Sequence, residues 1–234
     1  MSEIVLNLIV LAVTAVIIIG IFVFLGYRKR GRLGKMSQVA KERGWSFEVI
    51  QQPLATGIRL SGKSAFGNWN LEARADATSR ESGPGSSEIQ HSTRWWTEDV
   101  RLVDRSVVIG PRLAQGKPAG LDSFHTPLLQ MGLKMMLGND ADWVMDLAPI
   151  AFVNSALNQR FLCLGNNDRD VQRLISARAE QLLLKIPTGL QPVIKLRPSG
   201  LEIALLTVEL KDEAELQEMI DLGNTLSSAW NSTE

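Results

Sequence analysis

The longest apolar run of the chain lies near its N-terminus, at Ile4–Leu25, and contains no charged side chain. Of its 22 residues, 17 are Leu, Ile, Val or Phe, and only Asn7 and Thr14 are polar. A helix of this length rises about 33 Å, and the hydrocarbon core of a bilayer is about 30 Å thick. Because a helix satisfies its backbone hydrogen bonds internally, the run predicts a transmembrane helix.

Two other interpretations of this run are a buried core helix and a cleaved signal peptide. A core helix is rarely apolar on all faces for six turns. A signal peptide needs a basic segment before a shorter apolar stretch and small residues at its cleavage site. Met1, Ser2 and Glu3 precede the run, and no Ala-x-Ala pattern ends it. The sequence therefore favours a helix that is retained.

A basic neck follows the apolar run. Its five cations are Arg28, Lys29, Arg30, Arg32 and Lys35. By the positive-inside tendency, they place the short N-terminus outside and residues 36–234 in the cytoplasm, at the plasma (inner) membrane. The same cations attract anionic headgroups, by about 1 kcal/mol each near the surface. Tyr27, the only tyrosine, occupies the position of an interfacial aromatic residue. Residues 1–35 are thus predicted as an anchor with its neck.

Strand patterns dominate the next part of the chain. The clearest is Asn68–Ala77, where apolar and polar residues alternate from Trp69 onward. The Ser- and Gly-rich stretch Thr78–Ser92 is predicted as a loop. Shorter predicted strands are Ser46–Ile50, Ile58–Leu60, Thr93–Val103 and Ser106–Ile109.

Helices and strands are mixed in the rest of the chain. The predicted helices are Met36–Gly44, Pro127–Leu137, one from Asn167 or Asp168 that continues with or without a break to about Ile186, and one that starts at Asp212 with Glu215. The apolar stripe of the last helix consists of Leu216, Ile220, Gly223, Leu226 and Trp230. The predicted strands are Arg160–Leu164 and a hairpin of Pro192–Arg197 with Leu201–Leu210. Grouped strands predict an α+β fold, a mostly antiparallel sheet with helices packed to one side.

The net charge of residues 36–234 limits the kind of partner, and the cysteine content indicates the compartment. Residues 36–234 carry 20 Lys and Arg against 24 Asp and Glu, a balance of −4. An acidic body makes few phosphate contacts, so we expect no nucleic-acid partner. Cys163 is the only cysteine. An intrachain disulfide is therefore impossible, in keeping with a reducing compartment.

No motif in the sequence specifies a cofactor or a metal. His91, His125 and Cys163 are far apart, and the chain has no P-loop, no Gly-x-Gly-x-x-Gly and no Gly-x-Ser-x-Gly. The Asn- and Asp-rich runs at 139–142 and 167–170 lack the central glycine and distal glutamate of an EF-hand loop. We interpret them as helix caps, and we expect no cofactor, no metal and no catalytic residue.

An alternative function centres on two carboxylates beside a pair of tryptophans. Glu98 and Asp99 closely follow Trp95 and Trp96, and a carboxylate beside tryptophan can have a raised pKa and act as an acid. With His125 in a neighbouring irregular stretch, this suggests a membrane-bound hydrolase-like enzyme. An exposed strand edge is the simpler interpretation of the same residues.

The pair Trp95 and Trp96 is also a candidate surface for a partner. Adjacent residues of a strand face opposite sides of the sheet, so one indole can join the core while the other needs a cover. Helix 127–137, a protein partner or the membrane surface are the three possible covers. The pair is therefore the predicted partner-binding feature.

The chain resembles a group of uncharacterised bacterial single-pass membrane proteins. The resemblance rests on the basic neck, on Ala40–Glu48 with its Gly-Trp-Ser-Phe core, and on the strand and capped helix of Phe161–Ile175. It implies a fold and a location only, namely an anchored α+β domain. The sequence thus predicts a membrane-anchored, non-catalytic interaction or assembly domain on the cytoplasmic face, with the lipid bilayer and a protein as partners.

Overall fold

The computed structural model describes residues 3–79, 87–99, 106–112, 141–190 and 192–231. Two compact units are present, Met1–Phe47 and Glu48–Glu234. The helices are α1 (Glu3–Glu42), α2 (Ala141–Val144), α3 (Ser155–Arg160), α4 (Asp168–Leu174), α5 (Ala177–Lys185) and α6 (Glu213–Asn231). The strands are β1 (Ser46–Gln52), β2 (Ala55–Ser64), β3 (Gly67–Ser79), β4 (Ser87–Thr97), β5 (Val107–Pro111), β6 (Ala148–Ile150), β7 (Phe161–Gly165), β8 (Pro192–Arg197) and β9 (Gly200–Leu205).

Helix α1 is continuous over 40 residues and includes residues 36–42 of the predicted helix Met36–Gly44. Glycines at 26, 31 and 34 cost about 1 kcal/mol each in a helix, but the Arg, Lys, Leu and Met residues around them are strong helix formers. The helix ends before Gly44, which has a positive φ of 70° and is the predicted C-terminal stop. Within the described residues, no helix is sufficiently long and apolar to cross a membrane.

The strands form one nine-stranded open sheet in the order β1-β2-β3-β4-β9-β8-β5-β7-β6. All pairs from β2 onward are antiparallel. The first four strands are consecutive hairpins, whereas the C-terminal hairpin β8–β9 lies between β4 and β5. The α+β class and the antiparallel sheet are confirmed.

Several predicted boundaries differ from the structure. Strands β3 and β4 extend into the predicted loop Thr78–Ser92, with Thr78 opposite Glu88, because ladder hydrogen bonds do not require apolar side chains. The helix predicted to reach about Ile186, with or without a break, is divided into α4 and α5, since Ser176 accepts a hydrogen bond from Ala179 N as an N-cap. Helix α3 and strand β6 were not predicted, and residues 127–137 lie outside the described residues.

Most of the core lies on one face of the sheet. Cross-strand register puts Leu71, Trp95, Ile203, Ile194 and Ile109 on this face, all fully buried or nearly so. Helix α6 covers β4 and β9, and α4 covers β7. The predicted apolar stripe of α6 is confirmed, since all five of its residues are buried.

A smaller apolar cluster occupies the opposite face. Val144 of α2 packs there with Val108, Leu164 and Val193. Strands β5 and β7 are apolar on both faces, and such strands require cover on both. Helices therefore lie on both faces of the sheet, and the predicted one-sided arrangement is wrong at this end.

Candidate functional site

The two tryptophans of β4 lie in different environments. Trp95 is fully buried, and its ring lies against the backbone of Gly223 in α6. Its indole Nε1 has no hydrogen-bond partner in the described part of the chain. Trp96 faces the other side of the sheet and is partly exposed. Only Trp96 of the pair therefore presents surface to a partner.

Trp96 belongs to a charged cluster on the face opposite the main core. The guanidinium of Arg94 lies 5.1 Å from the Trp96 ring centroid and 2.7 Å from Glu202 Oε2. Arg197 is 3.5 Å from the same oxygen, and Lys195 Nζ is 3.6 Å from Oε1. Lys195 and Glu202 are both buried. Among the described residues, the cluster therefore places the carboxylate of Glu202 among three cations.

Neighbouring strands extend this charged surface. Arg59 binds Glu48 and Glu72, and Arg74 binds Glu72 and Asp76. The hydrogen bonds that Arg74 donates to Asp76, and next those that it donates to Glu72, raise the pKa of Arg74. Each ion pair between half-exposed side chains contributes little to stability. The main effect of these pairs is therefore to hold the charged groups of this surface in fixed positions.

Glu98 and Asp99, the two carboxylates of the hydrolase alternative, have different environments. Asp99 accepts a hydrogen bond of 2.6 Å from Asn68 N, and Thr97 donates one of 2.7 Å to Asn68 O. Gly67 has a φ of 133°, and a Cβ there would overlap Asp99. Asp99 thus fastens the β2–β3 turn to β4. Glu98 is exposed, and residue 125 lies outside the described residues.

The other Asn- and Asp-rich candidates are helix caps where they are described. Asn167 accepts a hydrogen bond from Asp170 N and donates one to Asp170 Oδ2, which is the predicted N-cap of α4. Among the described residues, no group of three His, Cys, Asp or Glu side chains could hold a metal ion.

Cys163 is buried in β7. Desolvation raises the pKa of its thiol to about 12, and the charge of Asp168 adds to the shift. Because only the thiolate is nucleophilic, this side chain is unreactive in the folded protein. An unfolded thiol titrates near about 8.5, so the stabilising contribution of the buried thiol is complete below that pH and decreases as the pH approaches about 12.

This environment predicts the reactivity of Cys163. At about pH 8, iodoacetamide should leave the folded chain unmodified and should alkylate it fully in denaturant, since unfolding restores an ordinary thiol pKa. Mass spectrometry of both samples measures this, and the denatured sample is the internal control. Rapid, complete alkylation of the folded protein would contradict the buried position.

The residues of the basic neck lie on α1. Arg28, Arg32 and Lys35 are exposed, and their spacing by four and three residues places them on one face of the helix. Arg30 is exposed as well, and Tyr27 is 80% exposed. The side chain of residue 29 is outside the described set.

A contact that the sequence did not predict fixes the chain before α6. Thr93 donates to Val208 O and accepts from Leu210 N, both at 2.8 Å. His91 Nδ1 lies 3.2 Å from Glu209 Oε2. These contacts fasten residues 208–210 to β4 and place Leu210 beside α6.

Beside this segment is an apolar pocket of about 80 Å³. It was not predicted, because its walls come from separate parts of the chain and carry no local motif. Its apolar lining is Leu182, Ile186, Pro187, Leu190, Pro192, Ile203, Leu205, Leu210, Met219 and Leu222. Lys185, Glu215 and Glu218 are its charged residues. The pocket therefore combines an apolar interior with a mostly acidic rim.

Comparisons of this chain with protein-family models, curated proteins and solved structures found no match. The assignment of function therefore rests on the sequence and on the contacts described above.

Proposed function

We propose that this protein is a membrane-anchored, non-catalytic interaction domain on the cytoplasmic face of the plasma (inner) membrane. The apolar part of α1 is the anchor, the basic neck sets the orientation, and the domain that follows binds a protein partner. The observation that carries this proposal is the exposure of apolar side chains around the whole circumference of α1.

Four consecutive residues of α1 demonstrate this exposure. The exposed fractions are 69% for Val16, 57% for Ile17, 48% for Ile18 and 61% for Ile19. Successive residues of a helix are about 100° apart, so these four side chains surround the axis. A helix that is apolar all round favours lipid or a protein interior over water.

The full length of the proposed anchor is taken from the sequence. Side chains of residues 3–10 are outside the described set, and the uncharged run Ile4–Leu25 includes them. At about −0.3 kcal/mol or better for each Leu, Ile, Val and Phe, the 17 such residues favour insertion by at least about 5 kcal/mol. The neighbouring cations support a cytoplasmic location for the domain.

The interaction role is supported by two surfaces of the domain. One is Trp96 with Arg94, an aromatic and a guanidinium of the kind enriched at the centres of protein interfaces. The other is the apolar pocket between α5 and α6. The hydrogen bond of Asp99 to the β2–β3 turn favours a structural role for that carboxylate over the hydrolase alternative.

Two lysines in the anchor test this proposal. We expect the natural protein to remain in the membrane pellet after carbonate extraction, and the double variant Val16→Lys/Ile19→Lys to be released. Each lysine near the centre of a membrane helix costs about 2.5–3.5 kcal/mol, which together exceeds the minimum gain from the apolar residues. The matched control is Val16→Leu/Ile19→Leu, which should stay in the pellet.

Release of the natural protein by carbonate would refute the anchor. The proposed orientation fails separately if protease added outside intact cells digests the domain. An intact domain under that treatment, with digestion after lysis, is the expected result.

A further inference from the structure

We propose that the pocket between α5 and α6 binds one apolar side chain of a partner peptide whose neighbouring residues are Lys or Arg. This inference names the partner chemistry of the interaction domain and rests on that proposed role. It does not depend on the membrane anchor.

The size of the pocket fits a single side chain. A cavity needs about 10–15 Å³ of accessible volume to hold one water molecule. The volume of about 80 Å³ thus corresponds to several water molecules, which is the scale of one leucine-sized group. Of the thirteen described residues that line it, ten are apolar, so the interior favours an aliphatic or aromatic side chain.

The charged residues at the edge of the pocket favour certain neighbours of that apolar side chain in the partner peptide. Glu215 and Glu218 are exposed residues of α6 that line the pocket. Neither has an ion pair with a described residue. Acidic groups in the first turn stabilise a helix through its dipole, which accounts for Glu215. Glu218 lies beyond that turn, so a cation from a partner is the better explanation for its place on the rim.

One described cation at the edge of the pocket does not outweigh the two carboxylates. Lys185 also lines the pocket, while Lys211 binds Glu209 at 3.1 Å. Among the described charged residues that line the pocket, the carboxylates of Glu215 and Glu218 outnumber the ammonium of Lys185. A basic peptide is therefore complementary to this side of the opening, and an acidic one is repelled.

The walls of the pocket are held in place before any partner binds. Arg160 donates to the carbonyl of Leu184 at 2.8 Å and to that of Ile186, at the C-terminal end of α5. Thr93 holds Leu210 on the other side. A preformed site loses less conformational entropy on binding.

The test uses the full chain in detergent micelles with ¹³C-methyl methionine. Its probes are synthetic peptides with one central leucine, flanked on both sides by lysine, serine or glutamate. Met219 lines the pocket and reports binding through its methyl resonance, whereas Met36, in the other unit, is the internal reference. We expect a saturable shift of Met219 with the lysine peptide only.

Reversal of the two carboxylates at the edge of the pocket should change its preference from the lysine peptide to the glutamate peptide. Glu215→Lys/Glu218→Lys should weaken binding of the lysine peptide by about tenfold and should permit binding of the glutamate peptide. The matched control is Glu213→Lys, an exposed change in the same helix that does not line the pocket. It should alter binding less than about twofold.

Three outcomes would overturn the inference. They are the absence of a saturable Met219 shift with the lysine peptide, equal binding of the lysine and serine peptides, and binding that charge reversal leaves unchanged. A Met219 shift on dilution alone would instead assign the pocket to a second copy of the chain. Because the micelles replace the membrane, these results are independent of carbonate extraction.

Discussion

The variant Gly223→Ala should have a free energy of unfolding about 2 kcal/mol below that of the natural protein. A methyl group at this position of α6 would overlap the ring of Trp95, and the ring is fully buried. Alanine is the better helix former by about 1 kcal/mol, so this value is the overlap cost less that gain. Urea unfolding, followed by circular dichroism, measures the change.

A double-mutant cycle separates overlap from helix propensity. In a Trp95→Leu background, which removes most of the ring, Gly223→Ala should be neutral or stabilising by up to about 1 kcal/mol. The difference between the two backgrounds is the coupling of Gly223 with Trp95. Equal effects in both backgrounds would mean that α6 does not approach the ring as described.

The second large effect is expected at the buried carboxylate of the charged cluster. Glu202→Gln should destabilise the domain by about 3 kcal/mol, since it breaks a buried ion pair by removing the charge of one partner. Lys195 is the other partner of that pair, with its side chain 8% exposed. Arg94 and Arg197 are more exposed and can turn toward water. Chemical denaturation at neutral pH measures the difference.

Two further variants test whether the loss of stability comes from the buried ion pair. Glu48→Gln removes a carboxylate that is 61% exposed beside Arg59, and it should change stability by less than about 0.5 kcal/mol. Lys195→Met/Glu202→Leu replaces both buried charges by apolar groups and should recover most of the loss. If the double variant is as unstable as Glu202→Gln, the buried lysine is not the cause.

Local features of the fold followed from the sequence. Alternation from Trp69 onward gave β3, the Asn167 cap gave the start of α4, and the helical spacing of five residues gave the buried face of α6. Each depends on neighbours within a few positions, where propensity and periodicity act. The position of Gly223 on the sheet side of α6 was part of that pattern.

Features that depend on distant pairing did not follow from the sequence. Trp95 lies opposite Ile203, and this register decides which of the two adjacent indoles is buried. The same register brings Glu202 to Arg94, 108 positions away. The apolar pocket is a further case, because its lining is collected from 182 to 222. A single sequence contains no periodicity over such separations.

The strand order has a consequence for synthesis on the ribosome. Strands β4 and β5 are consecutive in the chain, yet β9 and β8 separate them in the sheet. A nascent chain that ends before Pro192 therefore lacks the hairpin that both strands pair with, and each retains an open edge. Open edges pair readily with other chains, and distant contacts form slowly. Strands β8 and β9 must emerge before the two halves of the sheet can join, which makes this interval the one in which a chaperone would act.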